Sequence, residues 1–336
     1  MLYVDILVIG SGPTGSLITK YLIKERIRKV CTIDPSGIWG GVHFSNTKLC
    51  NILVDKIPIF IKYDEKTMIE EEFETSLSCN YLKPVLIKEN DVHKKMLSNY
   101  EIKDFQRPWF LEWKGKLCLM HKTLKDYIMI KNLKPIPSTV RILDLRKSIV
   151  VLRSNAVIKY KYLIWAAPLP ELIKCLKNVP SNFNSFLRRF KWISSHIVIL
   201  GLEGKKPEWT LAYHGTRATR AHTFVVKSYN NNYILYAIAN FSDKEKAIPG
   251  FTEKLISDIK RLQIVPSPFK IKDEKTFTMK YSVLSKISFK DLESLKSEIE
   301  SKNILLVGRS ALWKELSIGD TIREAKEVLK KVINFI

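Results

Sequence analysis

A glycine pattern near the start limits what this chain can fold into. The run Val4-Asp5-Ile6-Leu7-Val8-Ile9 reads as a buried strand and passes directly into Gly10-Ser11-Gly12-Pro13-Thr14-Gly15. Apolar residues then recur at helical spacing through Leu17, Ile18, Tyr21 and Leu22. A second strand, Lys29-Val30-Cys31-Thr32-Ile33, ends in Asp34. Strand, G-x-G-x-x-G, helix, strand and terminal acid are the opening of a dinucleotide-binding α/β sheet. Gly10 permits the tight turn, Gly12 leaves room for a pyrophosphate against the main chain, and Gly15 lets helix and strand pack closely. The helix start around Ser11, Pro13 and Thr14 offers free N–H groups and a positive dipole end to the anion. Asp34 stands nineteen positions past Gly15. A carboxylate there accepts from both ribose hydroxyls, which favours FAD or NAD over NADP.

The residues after Asp34 choose between those two. Pro35-Ser36-Gly37-Ile38-Trp39 leads into Gly40-Gly41. An acid, five residues and a glycine pair resemble the flavoprotein superfamily of amine oxidases, protoporphyrinogen oxidase and UDP-galactopyranose mutase. The resemblance implies FAD, with the glycine pair running close to the flavin. Members usually carry an arginine soon after the acid and an arginine or asparagine after the glycines. This chain has Pro35-Ser36 and Val42 at those places.

Two later stretches extend the resemblance. Ser138–Leu145 reads as a strand, Ile149–Leu152 and Ala156–Tyr160 as a hairpin, and Tyr162–Ala167 as a buried strand stopped by Pro168. The resemblance implies a backbone contact from Val140 to adenine, the alternative being a plain core residue, and puts Ala166-Ala167 beside the dinucleotide. Near the C-terminus, Asn303–Val307 is a strand closed by Gly308-Arg309, followed by a loop with Trp313 and a helix from Ser317 to about Val332. Ser317 and Asp320 form a capping-box-like start. The resemblance aims this helix at the flavin, with backbone contacts from Ser317 and Ile318 and with Gly308-Arg309 near the ribityl-phosphate. A positive helix tip suits that edge, because flavin reduction builds negative charge on N1 and O2.

The implied fold class is α/β: a Rossmann-type FAD-binding domain with an interleaved α+β substrate domain built on an antiparallel sheet. Residues 1–55, 131–175 and 282–336 form the FAD-binding domain, and 56–130 and 176–281 the substrate or cap domain. In the cap, Glu65–Glu74 reads as an exposed acidic helix with Glu70-Glu71-Glu72 solvated. Trp109 and Trp113 either line a cavity or pack an interdomain core. Leu124–Ile130 reads as a short helix, Glu171–Leu176 as a helix leading out of the FAD-binding domain, and Phe251–Leu262 as an amphipathic one. Strands run over His196–Gly201, Trp209–His214, His222–Tyr229 and Tyr233–Phe241, with Asn230-Asn231-Asn232 as a hairpin turn. Arg217 and Arg220, on the connection Gly215–Arg220, are candidate grips for a carboxylate or phosphate. Trp313 is a candidate substrate contact. His43, just past the glycine pair, is a candidate for the flavin region or a structural residue. No catalytic side chain is assigned.

Composition narrows the function classes. Net charge is +22, from 56 Lys and Arg against 34 Asp and Glu. The basic residues are spread along the chain without a nucleic-acid motif or tail, so nucleic acid is excluded as a partner, and peripheral contact with an anionic membrane stays open. No apolar run reaches the ~18 residues of a membrane span. The strand starting near Met1 leaves no room for a signal peptide. Five scattered cysteines without a C-x-x-C, and six histidines without metal spacing, point to reduced thiols, no metal and a cytoplasmic setting.

The expected partner is a small molecule, anionic or apolar. Three readings remain: an FAD-dependent oxidoreductase, a mutase-like flavin-dependent isomerase, and a non-catalytic FAD-binding protein. Two departures from the mutase weigh on the second. Its C-terminal motif has a tyrosine where this chain has Glu315, and its histidine-rich stretch is absent from Asn51–Phe60.

Overall fold

Leu2–Ile9 becomes a central strand because its side chains are apolar on both faces. Leu7 and Ile9 pack into one core with Leu163, Trp165 and Leu172. Ile6 and Val8 face the other way, against Leu17 and Ile18 of the helix Pro13–Lys24 and against Ile322, Ala325 and Val328 of the helix Ile318–Phe335. Side chains this fully enclosed contribute about 1.5–3 kcal/mol each. The structure is a computed structural model. It describes residues 1–27, 29–41, 48–74, 76–77, 79–82, 84–87, 92–98, 100–120, 130, 133–177, 181–229, 232–242 and 250–335.

The strand belongs to a seven-stranded sheet. Val30–Asp34 lies parallel on one side of it and Val157–Trp165 parallel on the other. Ile136–Pro137 extends the sheet beyond Asp34, again parallel. Val157–Trp165 has two further partners. Its first half pairs antiparallel with Ile149–Leu152, which continues to Val140–Asp144, and its last three residues pair parallel with Ile304–Leu306. Ile9, Trp165 and Leu306 therefore end at one edge, where ligands of open parallel sheets collect.

The second sheet has six strands. Phe269–Leu284, Trp192–Gly204, Asn232–Ser242, Thr223–Tyr229 and Leu211–His214 are successively antiparallel, and Val85–Ile87 adds a parallel edge. Phe251, Leu255 and Ile259 of the helix Phe251–Arg261 cover one face. The other packs against residues between Leu49 and Leu119. A three-stranded sheet of Phe60–Lys62, Leu117–Met120 and Cys79–Leu82 sits within that cover.

Several expectations shift. The strand expected at His196–Gly201 runs Trp192–Gly204, because long neighbours pair with it along both edges. The acidic helix is Lys66–Phe73, preceded by a 3-10 turn Tyr63–Glu65. It is not a solvated face throughout: Glu65 is buried, and Glu72 is enclosed by Lys326 of the last helix. Helix-to-helix pairing across such a distance leaves no mark in local sequence. Cys118 is disulfide-bonded, while Cys31, Cys50 and Cys175 are free thiols. The all-reduced expectation therefore fails at Cys118. Val42, His43, Asn230-Asn231 and most of Leu124–Ile130 lie outside the described residues. Among the described residues no helix is long and apolar enough to cross a membrane, and no cluster of His, Cys, Asp and Glu has metal-site geometry.

Candidate dinucleotide site

The glycine loop is held from beneath. Gly10 donates its N–H to Ile33 and has φ +99. A methyl on it would sit 3.0 Å from the Ala166 carbonyl carbon and the Ala167 nitrogen, so small residues are needed on both sides. A methyl on Gly15 would fall 1.9 Å from the Gly10 oxygen. Helix and loop are as close as two backbones allow. Gly12 differs: a methyl built there meets nothing within 4 Å. It opens on free space at the start of a helix that carries Pro13 in its first turn and no side-chain cap. The uncapped N–H groups are a ready anion site.

Asp34 closes the far side. Its Oδ2 accepts the Ser11 N–H at 2.9 Å, and its Oδ1 accepts the Ser36 N–H at 2.8 Å and the Ser36 hydroxyl. Ser11 Oγ donates to the Ile38 oxygen at 2.6 Å, and Gly40 donates to the Ser11 oxygen at 2.7 Å. The turn after Asp34 is thereby tied to the loop. It brings Gly41 against Gly12, where a methyl would be 3.0 Å from the Gly12 Cα. Val140 follows Ile136–Pro137, whose residues pair with Ile33 and Asp34.

The C-terminal segment meets the same loop. Gly308, at φ +89, lies so close to Thr14 that a methyl would be 2.6 Å from its Oγ1. The last helix then packs along the glycine-loop helix. Its start is capped by Ser317 and Asp320. The Ser317 N–H donates to Asp320 Oδ2 at 2.9 Å, and the Asp320 N–H donates to Ser317 Oγ at 3.1 Å. Burial opposes the Asp320 charge, but the Ser317 amide, Arg323 and Lys62 outweigh it and hold the carboxyl well below the usual range.

Comparison with known proteins adds fold but not sequence. No protein-family model matches the chain, and no curated protein matches it. Solved structures do. A reduced UDP-galactopyranose mutase matches at TM-score 0.79 with 11% identity, covering 99% of this chain and 96% of the other. A fatty acid isomerase from P. acnes matches at 0.68 with 10% identity and 98% of each chain. A putrescine oxidase matches at 0.65 with 9% identity and 99% of each. At 9–11% identity these matches show a shared fold along nearly the whole chain. The open loop at Gly12, the uncapped first helix and the Asp34 carboxylate fit an adenine dinucleotide on their own geometry.

Not every candidate joins this constellation. Trp313, expected as a substrate contact, sits in the core. It is 1% exposed, stacks edge-on with Phe190 at 4.7 Å, and donates its indole N–H to the Ser285 oxygen at 2.9 Å. The Arg309 guanidinium donates to the Tyr281 and Ser282 carbonyls at 2.7 and 2.8 Å and pairs with Glu315. Those bonds commit it to the strand Phe269–Leu284, not to a phosphate. Arg217 and Arg220 are exposed. Their loop wraps Lys95, whose ammonium donates to the His214, Thr216 and Ala221 carbonyls at 2.8, 2.7 and 2.6 Å. Burial lowers the Lys95 ammonium to about 8, opposed by Asp258.

Two further groups escaped sequence reasoning. Lys62, half-buried, stands 5.8 and 5.1 Å from the ring centres of Trp109 and Trp113 and pairs with Glu65 and Asp320 at the last helix tip. Trp109 and Trp113 thus pack the inner cover while staying half-exposed. Lys227 is fully enclosed on the inner face of the six-stranded sheet, over the Tyr236 ring, and burial lowers its ammonium against the pull of Asp55. Its only signal is that it directly follows the apolar run Phe224–Val226. A void of about 40 Å³ between Leu145, Leu172, Phe183 and Ile304 is apolar. It borders the first residue of the last strand, at the sheet end opposite the glycine loop.

Proposed function

We propose that this chain is an FAD-dependent oxidoreductase of the amine-oxidase and protoporphyrinogen-oxidase type acting on a small molecule. The contact of Gly308 with Thr14 carries the reading. It sets the last helix beside the glycine-loop helix, so that two helix starts face one extended cofactor. Segments 1–55, 131–175 and 282–336 hold FAD, and 56–130 and 176–281 shape the substrate side.

The first-helix N–H groups, backed by Gly12 and Gly41, bind the pyrophosphate. Asp34 binds the adenosine ribose, whose hydroxyl displaces that of Ser36. Val140 meets adenine and Ala166 lines the dinucleotide. Gly308 and the main chain of Arg309 pass the ribityl chain, and the Ile318 N–H faces the isoalloxazine; the Ser317 N–H, expected beside it, is already bonded to Asp320 Oδ2 and serves the cap instead. FAD supplies the electron acceptor; this chain orients it and excludes water. The Lys62 ammonium pairs with Asp320 at that helix tip, and Trp109 and Trp113 fix its direction.

An absorbance spectrum after incubation with FAD tests the reading. A flavin spectrum that bleaches anaerobically with an amine, tetrapyrrole or other donor supports it, and a colourless protein refutes it. A redox-neutral isomerase is the second reading, favoured by the 0.79 match to the mutase structure. Glu315 is less adverse to it than the sequence implied, because Arg309 neutralises that carboxylate. Turnover only with pre-reduced flavin and without net oxidation would select it.

A further inference from the structure

Four charges close a ring at the tip of the last helix. Lys62 Nζ lies 3.3 Å from Glu65 Oε1 and 3.3 Å from Asp320 Oδ2. The Arg323 guanidinium lies 2.6 Å from each of the same two carboxylates. Ser317 Oγ sits between the acids, 2.9 Å from Glu65 Oε2 and 2.8 Å from Asp320 Oδ2. One hydroxyl hydrogen cannot satisfy both acids, so the two bridging cations do the pairing. Gly319 is what admits Glu65. A methyl on it would fall 2.3 Å from the Glu65 carboxyl carbon.

Asp320 alone suffices to cap the helix, through its own bonds to Ser317. Glu65 is the added element. It reaches the tip from 252 residues away in sequence and is only 6% exposed. Without it, Lys62, Arg323 and the helix dipole would face a single acid, and the tip would carry net positive charge. With it, the side-chain charges of the ring sum to zero. Burying a carboxylate is costly unless it is paired, so its position here requires both cations.

Resting on the reading that this tip faces the pyrimidine edge of FAD, we infer that Glu65 sets the charge at that edge and holds down the electron affinity of the bound flavin. Negative charge gathers on N1 and O2 when the flavin is reduced or attacked at N5. With Glu65 in place, only the partial charge of the helix tip, about half a unit, answers it. Glu65 is therefore a positioning and charge-setting residue, not a group that touches substrate.

Sulfite reports this charge without any turnover. Its sulfur lone pair forms a bond to N5, the displaced pair comes to rest at N1 and O2, and the flavin absorbance bleaches. FAD-loaded wild type, Glu65→Gln, Glu65→Asp and Asp320→Asn are titrated with sulfite after their flavin content is read from the spectrum. Glu65→Gln is expected to bind sulfite at least about tenfold more tightly, from the uncovered charge alone. Asp320→Asn should shift in the same direction, and Glu65→Asp should stay close to wild type. Asp320→Asn keeps the test in force if Glu65→Gln does not fold. Yellow proteins with equal sulfite affinity overturn this inference and leave the FAD reading standing. A wild type that takes up no FAD overturns both.

Discussion

Gly12→Ala separates the cofactor reading from the fold. Gly12 has φ −59 and ψ −178, which any residue adopts, and its added methyl meets no protein atom within 4 Å. Loss of unfolded-chain freedom stabilises by about 0.4–1 kcal/mol, and replacing glycine by alanine at a helix cap costs a similar amount. The apo protein should therefore unfold within about 0.5 kcal/mol of wild type. The methyl does enter the space over the first-helix N–H groups. Weakening two charge-assisted hydrogen bonds of about 1.5–3 kcal/mol each removes at least about 3 kcal/mol of binding, a loss of more than about a hundredfold. Thermal unfolding with and without FAD reads both effects. At a hundred times its Kd, FAD adds about 2.7 kcal/mol, so wild type should gain several degrees and Gly12→Ala none. A variant that keeps the full FAD shift would refute the pyrophosphate assignment. A large fall in its apo Tm would show that the space above Gly12 is filled.

Other perturbations probe the supports of the site. Gly308→Ala adds strain at φ +89 and a methyl 2.6 Å from Thr14 Oγ1; it should cost about 1–3 kcal/mol in a denaturant titration, and an unchanged midpoint would argue against the convergence of the two ends. Lys95→Met leaves three carbonyls without their donor, each loss worth about 1–3 kcal/mol; amide exchange in 214–221 should quicken while Leu2–Ile9 stays protected. Burial holds His222 at about 3, below its ordinary 6.5. The unfolded chain takes up that proton first, so this stability is complete above pH 6.5 and falls toward pH 3, by about 1.4 kcal/mol per unit. His222→Gln should flatten the loss between pH 6 and 4; an unaltered slope would assign it to other groups.

Much of the glycine-loop unit was legible because its requirements are local. A turn that brings Gly15 against the Gly10 oxygen, an open approach at Gly12 and an acid ending the next strand follow from spacing within one βαβ unit. The capping pair Ser317 and Asp320 is likewise three residues apart. Burial was less legible. Trp313 looked like a loop aromatic free to meet substrate, yet Phe190 and Ser285, far off in the chain, enclose it. Arg309 was expected near the ribityl-phosphate, and its guanidinium is taken up by Tyr281, Ser282 and Glu315.

By itself, the sequence determined where the chain turns, which stretches must be strands, and that a tight glycine turn follows the first strand. Those depend on backbone sterics and on periodicity, which act over a few residues. Only the tertiary structure decided which charges meet. Glu65 read as part of an exposed acidic helix, and folding set it between Lys62 and Arg323 at the start of the last helix. The reason is physical: a carboxylate is soluble anywhere along an unfolded chain, and its role is chosen by the cations that packing brings to it.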